Sequence, residues 1–536
     1  SSFSYAPMPY YFAGLTFGGI PQFVQCADNY DYISPACQSL KICVSALSSW
    51  YDVVTGIFPP ESVVGTEGIA ASIPALGDGL CNVFGATRLE LSEDNVERLG
   101  YDMSRSYAIG DRMHSKSFET WMTRSSDRQW TKMTSWIFEA LVQAEESGIT
   151  QPSAGLMEAT TVFNDARYSF DDLFRNAVAA NGNFGEIWNT TMPFPRPSMN
   201  LVCNGTSGLI VSMDFGAYGD LGDRPSPGGH IERIIQRGAL VCSVSPARGF
   251  AEFNQQTNSW TGFEVDICRA VAAAIFNGPP KVDFVTVSTS EVFTDVKSGS
   301  IDLAAGKTRT LNREIKHSSS QGFAFDFSPP YFYDGMVFAG YEPHGRCAAN
   351  LFFDETCAET LICVPEVTTW HDALAAMGVP EENILLTTSW SESLEKHLAR
   401  ECNAIVYESK KIDQTLKSME NNTYYLDTEK HTKEPLSLMH RSDDQQFSDL
   451  MRWIIYGLFH AEEKGITKDT SVEMPATNLF GSELTGIWQN SVRESGNYGE
   501  IFSRNLDGLV VRDGLNVLNR LDGPQLCASP GTAPFI

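Results

Sequence analysis

Apolar side chains recur at helical spacing toward the end of the chain. Phe447, Leu450, Met451, Ile454 and Leu458 share one face, which predicts an amphipathic helix over Asp443–Lys464. Asp443 or Asp444 can cap its start, and Gly465 supplies the left-handed residue that ends it. Shorter apolar runs bounded by Gly, Pro and Asp read as strands at Ala239–Val244, Val282–Val287, Ile301–Ala305 and Met336–Gly340. An apolar run at Val265–Phe276 reads as a buried helix between the first two. Strands alternating with helices predict an α/β fold with largely parallel sheets.

The pattern occurs twice. Trp136–Thr150 matches Trp453–Thr467, with Gly148 in the place of Gly465, and Gly182–Ile187 matches Gly496–Ile501. The offset is 321 at Cys26 and Cys347, 317 at Trp136 and Trp453, and 314 at Gly182 and Gly496, so small deletions separate the copies. A repeat this long means duplicated domains rather than a solenoid. Ser328–Gly335, with its paired prolines and aromatic run, has a degenerate copy at Ala6–Gly14. What precedes Ser328 in the second copy has no counterpart in the first. The segment Asp214–Gly229, rich in Gly, Pro and Asp, is the natural linker. The organisation expected is a truncated copy over 1–215, a linker over 216–231 and a complete copy over 232–536. In the complete copy, one lobe takes 232–330 and 440–536, and the other takes 340–432. Crossover strands at Ser328–Gly335 would join the lobes as a clamp.

Composition narrows the function. An apolar fraction of 42% with 20% charged residues describes a globular protein. A net charge of −27 without any basic cluster argues against nucleic acid and anionic membrane surfaces. No run approaches the length of apolar sequence that spans a bilayer, so no transmembrane segment is expected. Twelve cysteines show neither CxxC nor Cys/His spacing, so no metal and no cofactor is expected. The spacing of Cys26, Cys37, Cys43 and Cys81 repeats at Cys347, Cys357, Cys363 and Cys402. That duplication points to disulfides and an oxidising, secreted location. Sequons at Asn189, Asn204 and Asn421 agree with a glycoprotein on a secretory route.

Gly238–Val244, Trp260–Phe276, Gly496–Glu500 and Arg512–Asn516 resemble the extracellular solute-binding proteins of amino-acid ABC uptake systems, and most of all their general L-amino-acid-binding branch. The resemblance covers 232–536 throughout and 3–213 as a diverged partial copy. It implies a two-lobed, type II periplasmic-binding-protein-like clamp, duplicated with the first copy incomplete. It also implies bridges Cys242–Cys268 and Cys363–Cys402. Cys43–Cys81 follows by equivalence of the repeats, and Cys26–Cys37 and Cys347–Cys357 would close small loops. Cys203 and Cys527 are left over.

An α-amino acid needs a fork of donors for its carboxylate and an acceptor for its ammonium. Asp302–Arg313 resembles the family's strand-to-helix turn, which implies Arg313 as the carboxylate anchor, assisted by Thr308. Thr368 and Thr369 open a helix in the second lobe, where exposed N–H groups favour an anion. Glu408 stands where the family holds an acid for the ammonium, or else caps a turn. Phe250 and Phe253 either cover the ligand or pack in the core. Lys307 either reads an acidic ligand side chain or is solvated. Gly306-Lys307-Thr308 echoes the end of a P-loop, but Ile301 stands where its first glycine belongs, so nucleotide binding is rejected. No acid/base or nucleophile motif of an enzyme is present.

The first copy has no equivalent of Arg313. Thr87 replaces Glu408, and Ser48 and Ser49 replace Thr368 and Thr369. It is therefore expected to be a scaffold that binds no zwitterion. The missing strands would leave apolar edges open, which a separate chain, a cleaved upstream segment or a neighbouring subunit would cover in an oligomer or polymer. Two functions follow. One is an extracellular protein that binds an amino acid in its second domain. The other is a structural subunit of a secreted filament or coat, built from degenerate clamps.

Overall fold

The computed structural model describes residues 3–5, 9–115, 118–124, 127–162, 170–196, 200–201, 228–288, 291–310, 313–314, 325–353, 355–409, 416, 419, 423–477, 480 and 484–517. Most of the linker, Asn204, Asn421, Cys203 and Cys527 lie outside them.

Two sheets carry the second half. In the six-stranded sheet, Leu240–Ser243 lies between Val282–Val285 and Leu303–Thr308, parallel to both. Glu434–Arg441 then runs antiparallel to Leu303–Thr308 and also takes Phe325–Phe327 and Phe332–Asp334. The five-stranded sheet has the order Ile384–Thr387, Ile362–Pro365, Ala404–Glu408, Met336–Tyr341, Tyr424–Leu426. Its first three strands are parallel and Met336–Tyr341 is antiparallel to its neighbours. The sheets are thus mixed rather than largely parallel. The strands that carry the chain from one sheet to the other enter from the opposite end, and so they run against the rest.

The first half repeats the five-stranded sheet strand for strand: Val63–Thr66, Ile42–Ser45, Val83–Ala86, Thr16–Gly19, Ala108–Ile109, with the same directions. Among the described residues it has no counterpart of the strands Leu240–Ser243, Val282–Val285 and Leu303–Thr308 of the six-stranded sheet. Its crossover region holds two short antiparallel pairs, Phe3–Tyr5 with Met122–Arg124 and Tyr11–Phe12 with Phe118–Glu119, which correspond to Phe325–Phe327 and Phe332–Asp334 against Glu434–Arg441.

The amphipathic helix spans Gln445–Glu463, capped by the Asp444 side chain on the Phe447 N–H, and Gly465 follows at φ 69°. The five periodic residues are all buried. Helix Phe263–Ile275 is buried on every side because it lies between the six-stranded sheet and the helices Ile487–Ser495 and Tyr498–Leu506. At Gly335 the two crossover segments touch. A Cβ there would sit 2.5 Å from the Thr432 carbonyl oxygen, so the approach requires glycine.

Among the described residues five disulfides close: Cys26–Cys37, Cys43–Cys81, Cys242–Cys268, Cys347–Cys357 and Cys363–Cys402. Asn189 is exposed on helix Phe184–Thr191. Among the described residues no helix is long and apolar enough to cross a membrane, and no His/Cys/Asp/Glu group could hold a metal ion.

The long helix of the first half spans Arg128–Glu146. Lys132, Trp136, Glu139 and Glu146 lie along one side of it and bond to side chains of the second half. The chain's own second half thus covers that side of the helix.

Candidate ligand-binding site

Strand Leu303–Thr308 ends beside the start of Glu434–Arg441, with Thr308 opposite Leu436. The Thr308 hydroxyl donates to Glu434 Oε2 at 2.7 Å. From the other sheet, strand Ile362–Pro365 leads into helix Thr369–Ala376. Thr368 caps that helix: its hydroxyl donates to the Pro365 carbonyl at 2.7 Å and accepts the His371 N–H at 3.3 Å. Thr369, the first helical residue, brings its hydroxyl to the same Glu434 carboxylate, 2.9 Å from Oε2 and 3.1 Å from Oε1. Thr432 adds a third hydroxyl at 3.3 Å. One fully buried carboxylate therefore ties a strand end of one sheet to a helix N-terminus on the other.

Burial raises the Glu434 pKa to about 7; the Thr308 hydrogen bond opposes this, Glu408 adds to it, and Thr369 and Arg313 oppose it again. Arg313 donates to the Thr308 carbonyl at 2.7 Å, and its guanidinium lies 5.4 Å from the centre of the Phe293 ring. Burial lowers its pKa against the attraction of Glu434, Asp372 and Glu408. Glu408 is the last residue of Ala404–Glu408, paired with Met336 and buried.

Thr308, Thr369, Arg313 and Glu408 thus gather around Glu434, with Thr368 holding the helix that carries Thr369. Phe250 is placed in the core, edge-on to Phe263 at 5.9 Å and Phe332 at 5.1 Å. Phe253 is exposed on a hairpin against Trp260. Lys307 donates to the Ser245 hydroxyl at 3.3 Å. Asp302 is a structural acceptor, taking the Val241 N–H at 2.7 Å and pairing with Arg237. Glu434 is the residue that sequence reasoning missed. Its only signal is an acid between Lys433 and Pro435 just ahead of the mostly apolar stretch Leu436-Ser437-Leu438-Met439.

The equivalent position in the first half is closed locally. Thr87 donates its hydroxyl to Glu90 at 2.8 Å, and Ser48 donates to the Ser45 carbonyl at 2.8 Å.

The sequence profile of the bacterial extracellular solute-binding proteins, family 3, matches residues 240–434. The general L-amino acid-binding periplasmic protein AapJ of Rhizobium johnstonii is 31% identical over 318 residues, covering 54% of this chain and 90% of AapJ. The chain belongs to this solute-binding family. The glutamate/glutamine/aspartate/asparagine-binding protein BztA of Rhodobacter capsulatus is 29% identical over 52% of this chain and 85% of its own length. Among solved structures, a periplasmic binding protein from Brucella ovis with glutathione bound is 26% identical, covering 56% of this chain and 99% of its own, with a TM-score of 0.44. The family binds solutes and does not catalyse reactions. Its extracellular setting agrees with five disulfides, which persist in an oxidising compartment.

Proposed function

We propose that residues 232–536 of this secreted protein bind an amino acid between the two sheets, and that residues 1–215 form a truncated copy that binds none. The observation that carries this reading is the convergence on Glu434 of Thr308 and Arg313 from one sheet and Thr369 and Glu408 from the other. A zwitterion needs donors for its carboxylate and an acceptor for its ammonium, which a guanidinium and a buried acid supply. Arg313 takes the carboxylate, and Glu408 and Glu434 take the ammonium. The names of AapJ and BztA support an L-amino acid as the ligand class.

The test is thermal unfolding of the full chain with each of the twenty L-amino acids. A ligand at a hundred times its Kd stabilises by about 2.7 kcal/mol, a clear upward shift, and Arg313→Ala abolishes it. If none of the twenty shifts the transition, the binding reading fails.

A specific observation favours the second function, a structural subunit of a secreted filament or coat. The Thr308 and Thr369 hydroxyls are already engaged within the chain by Glu434. Electron microscopy of native material showing polymers, with no amino acid binding, selects that reading.

A further inference from the structure

The helix Arg128–Glu146 reaches both chain segments that meet at Glu434. Arg309, which follows Thr308, donates to Glu139 at 3.0 and 3.2 Å and to Glu314 at 2.5 Å. Glu314, which follows Arg313, accepts the Trp136 indole N–H at 2.9 Å and the Lys132 ammonium at 3.1 Å. Lys132 also pairs with Asp326. Farther along the same helix, Glu146 pairs at 2.6 Å with Lys433, the residue before Glu434. Glu139, Arg309, Glu314 and Lys433 are all buried, so these contacts are desolvated, and water cannot replace a lost partner. Burial works against the Arg309 charge, but Glu139 and Glu314 outweigh it and hold its pKa above the ordinary arginine value.

This face is not a relic of the duplication. Asp449 and Tyr456 stand in the second copy where Lys132 and Glu139 stand in the first, and only Trp136 and Glu146 have matching residues, Trp453 and Glu463. The charges that grip Arg309 and Glu314 belong to the incomplete copy alone. Side chains at such spacing along a helix move as one rigid face, so a single element fixes both ends of the Thr308–Glu434 contact.

We propose that the first half is a built-in positioning element for the cleft of the second, with Glu139 holding Thr308 through the adjacent Arg309 and Glu146 holding Glu434 through Lys433. The incomplete copy then serves as the support on which the complete one sets its donors. The ligand arm of the test rests on the binding reading above; the exchange arm does not.

The experiment compares full-length wild type with Glu139→Gln, Glu139→Asp, Glu146→Gln and the exposed-site control Gln129→Ala. Amide hydrogen exchange is followed without ligand by mass spectrometry. In Glu139→Gln and Glu146→Gln, exchange over 303–310 and 434–438 should accelerate at least tenfold. Exchange over 362–365 and 404–408 should stay at wild-type rates, and Glu139→Asp should recover most of the protection. The twenty L-amino acids serve as probes in parallel, and affinity for whichever binds wild type should fall about tenfold in the Gln variants only. Exchange unchanged in both Gln variants, or faster equally in both sheets, overturns the proposal. If Glu139→Gln does not fold, the same comparison on Glu146→Gln decides. If no amino acid binds wild type, the binding reading fails while the exchange result still decides this one.

Discussion

Glu434 accepts the Thr308 hydroxyl at 2.7 Å with no exposed surface on the acid, and that pairing makes the fold sensitive to pH. Burial first, and Glu408 as well, raise the folded pKa from 4.5 to about 7 despite the hydroxyl donors. Between those values the folded state keeps a proton that the unfolded chain has released. The contribution is therefore fully present below pH ~4.5 and is lost as pH rises through ~7. The size is about 3 kcal/mol. Glu139, raised to about 7 mainly by burial, adds a term of the same sign. Urea unfolding at pH 5, 6 and 8 should show stability falling with pH, and Glu434→Gln should flatten that slope. An identical slope in wild type and Glu434→Gln would remove Glu434 as its cause.

Each half holds its crossover strand with a buried asparagine. Asn516 accepts the Tyr333 N–H at 2.7 Å and donates to the Tyr333 carbonyl at 2.8 Å. Asn200 does the same for Phe12 at 2.8 and 3.2 Å. Replacing either by alanine strands a buried backbone N–H, a loss of about 2 kcal/mol. Chemical denaturation of Asn200→Ala and Asn516→Ala should give losses of similar size. A loss at Asn516 alone would mean that the first half does not rely on the Asn200 contact with Phe12.

Two glycines should respond in opposite directions to one added methyl. At Gly335 the new Cβ meets the Thr432 carbonyl at 2.5 Å and the Lys430 Cβ at 2.6 Å, and overpacking of this kind costs about 1–3 kcal/mol. Gly56 lies inside helix Ser49–Ile57 with nothing within 4 Å of the built Cβ. There alanine should gain about 0.5–1 kcal/mol from helix propensity. Melting temperatures of Gly335→Ala and Gly56→Ala should therefore move apart, down for the first and up for the second.

What was legible in the chain was local. Phe447 through Leu458 announce their helix because a 3.6-residue period, an Asp cap and a terminal Gly agree with one another. The matched cysteine spacings appear in matched sheets because both halves have the same strand order. The antiparallel crossover strands were not legible, since direction leaves no mark on an apolar run such as Met336–Gly340. Glu434 reaches Thr308 across 126 positions and Glu139 reaches Arg309 across 170. Neither pairing has a periodic signature, because each is made by tertiary packing of segments that are individually unremarkable in polarity. Phe250 had two readings in the sequence, and only the rings of Phe263 and Phe332 around it place it in the core.

Four of the disulfides, a matched pair in each half, fall into two size classes, and their removal should rank by loop length. Cys363–Cys402 and Cys43–Cys81 span 39 and 38 residues, whereas Cys347–Cys357 and Cys26–Cys37 span 10 and 11. If a bridge acts mainly by restricting the unfolded chain, the long loops contribute about 4 kcal/mol each and the short ones about 3 kcal/mol. Guanidinium titrations of the four double-alanine variants should reproduce that order in both halves. Packing alone would predict another result. Cys43 and Cys363 are fully buried on strands of their sheets, so a native-state cavity effect would widen the gap well beyond ~1 kcal/mol. A gap near 1 kcal/mol therefore assigns the stabilisation to the unfolded chain, and a gap of several assigns it to the packed core around the sulfurs.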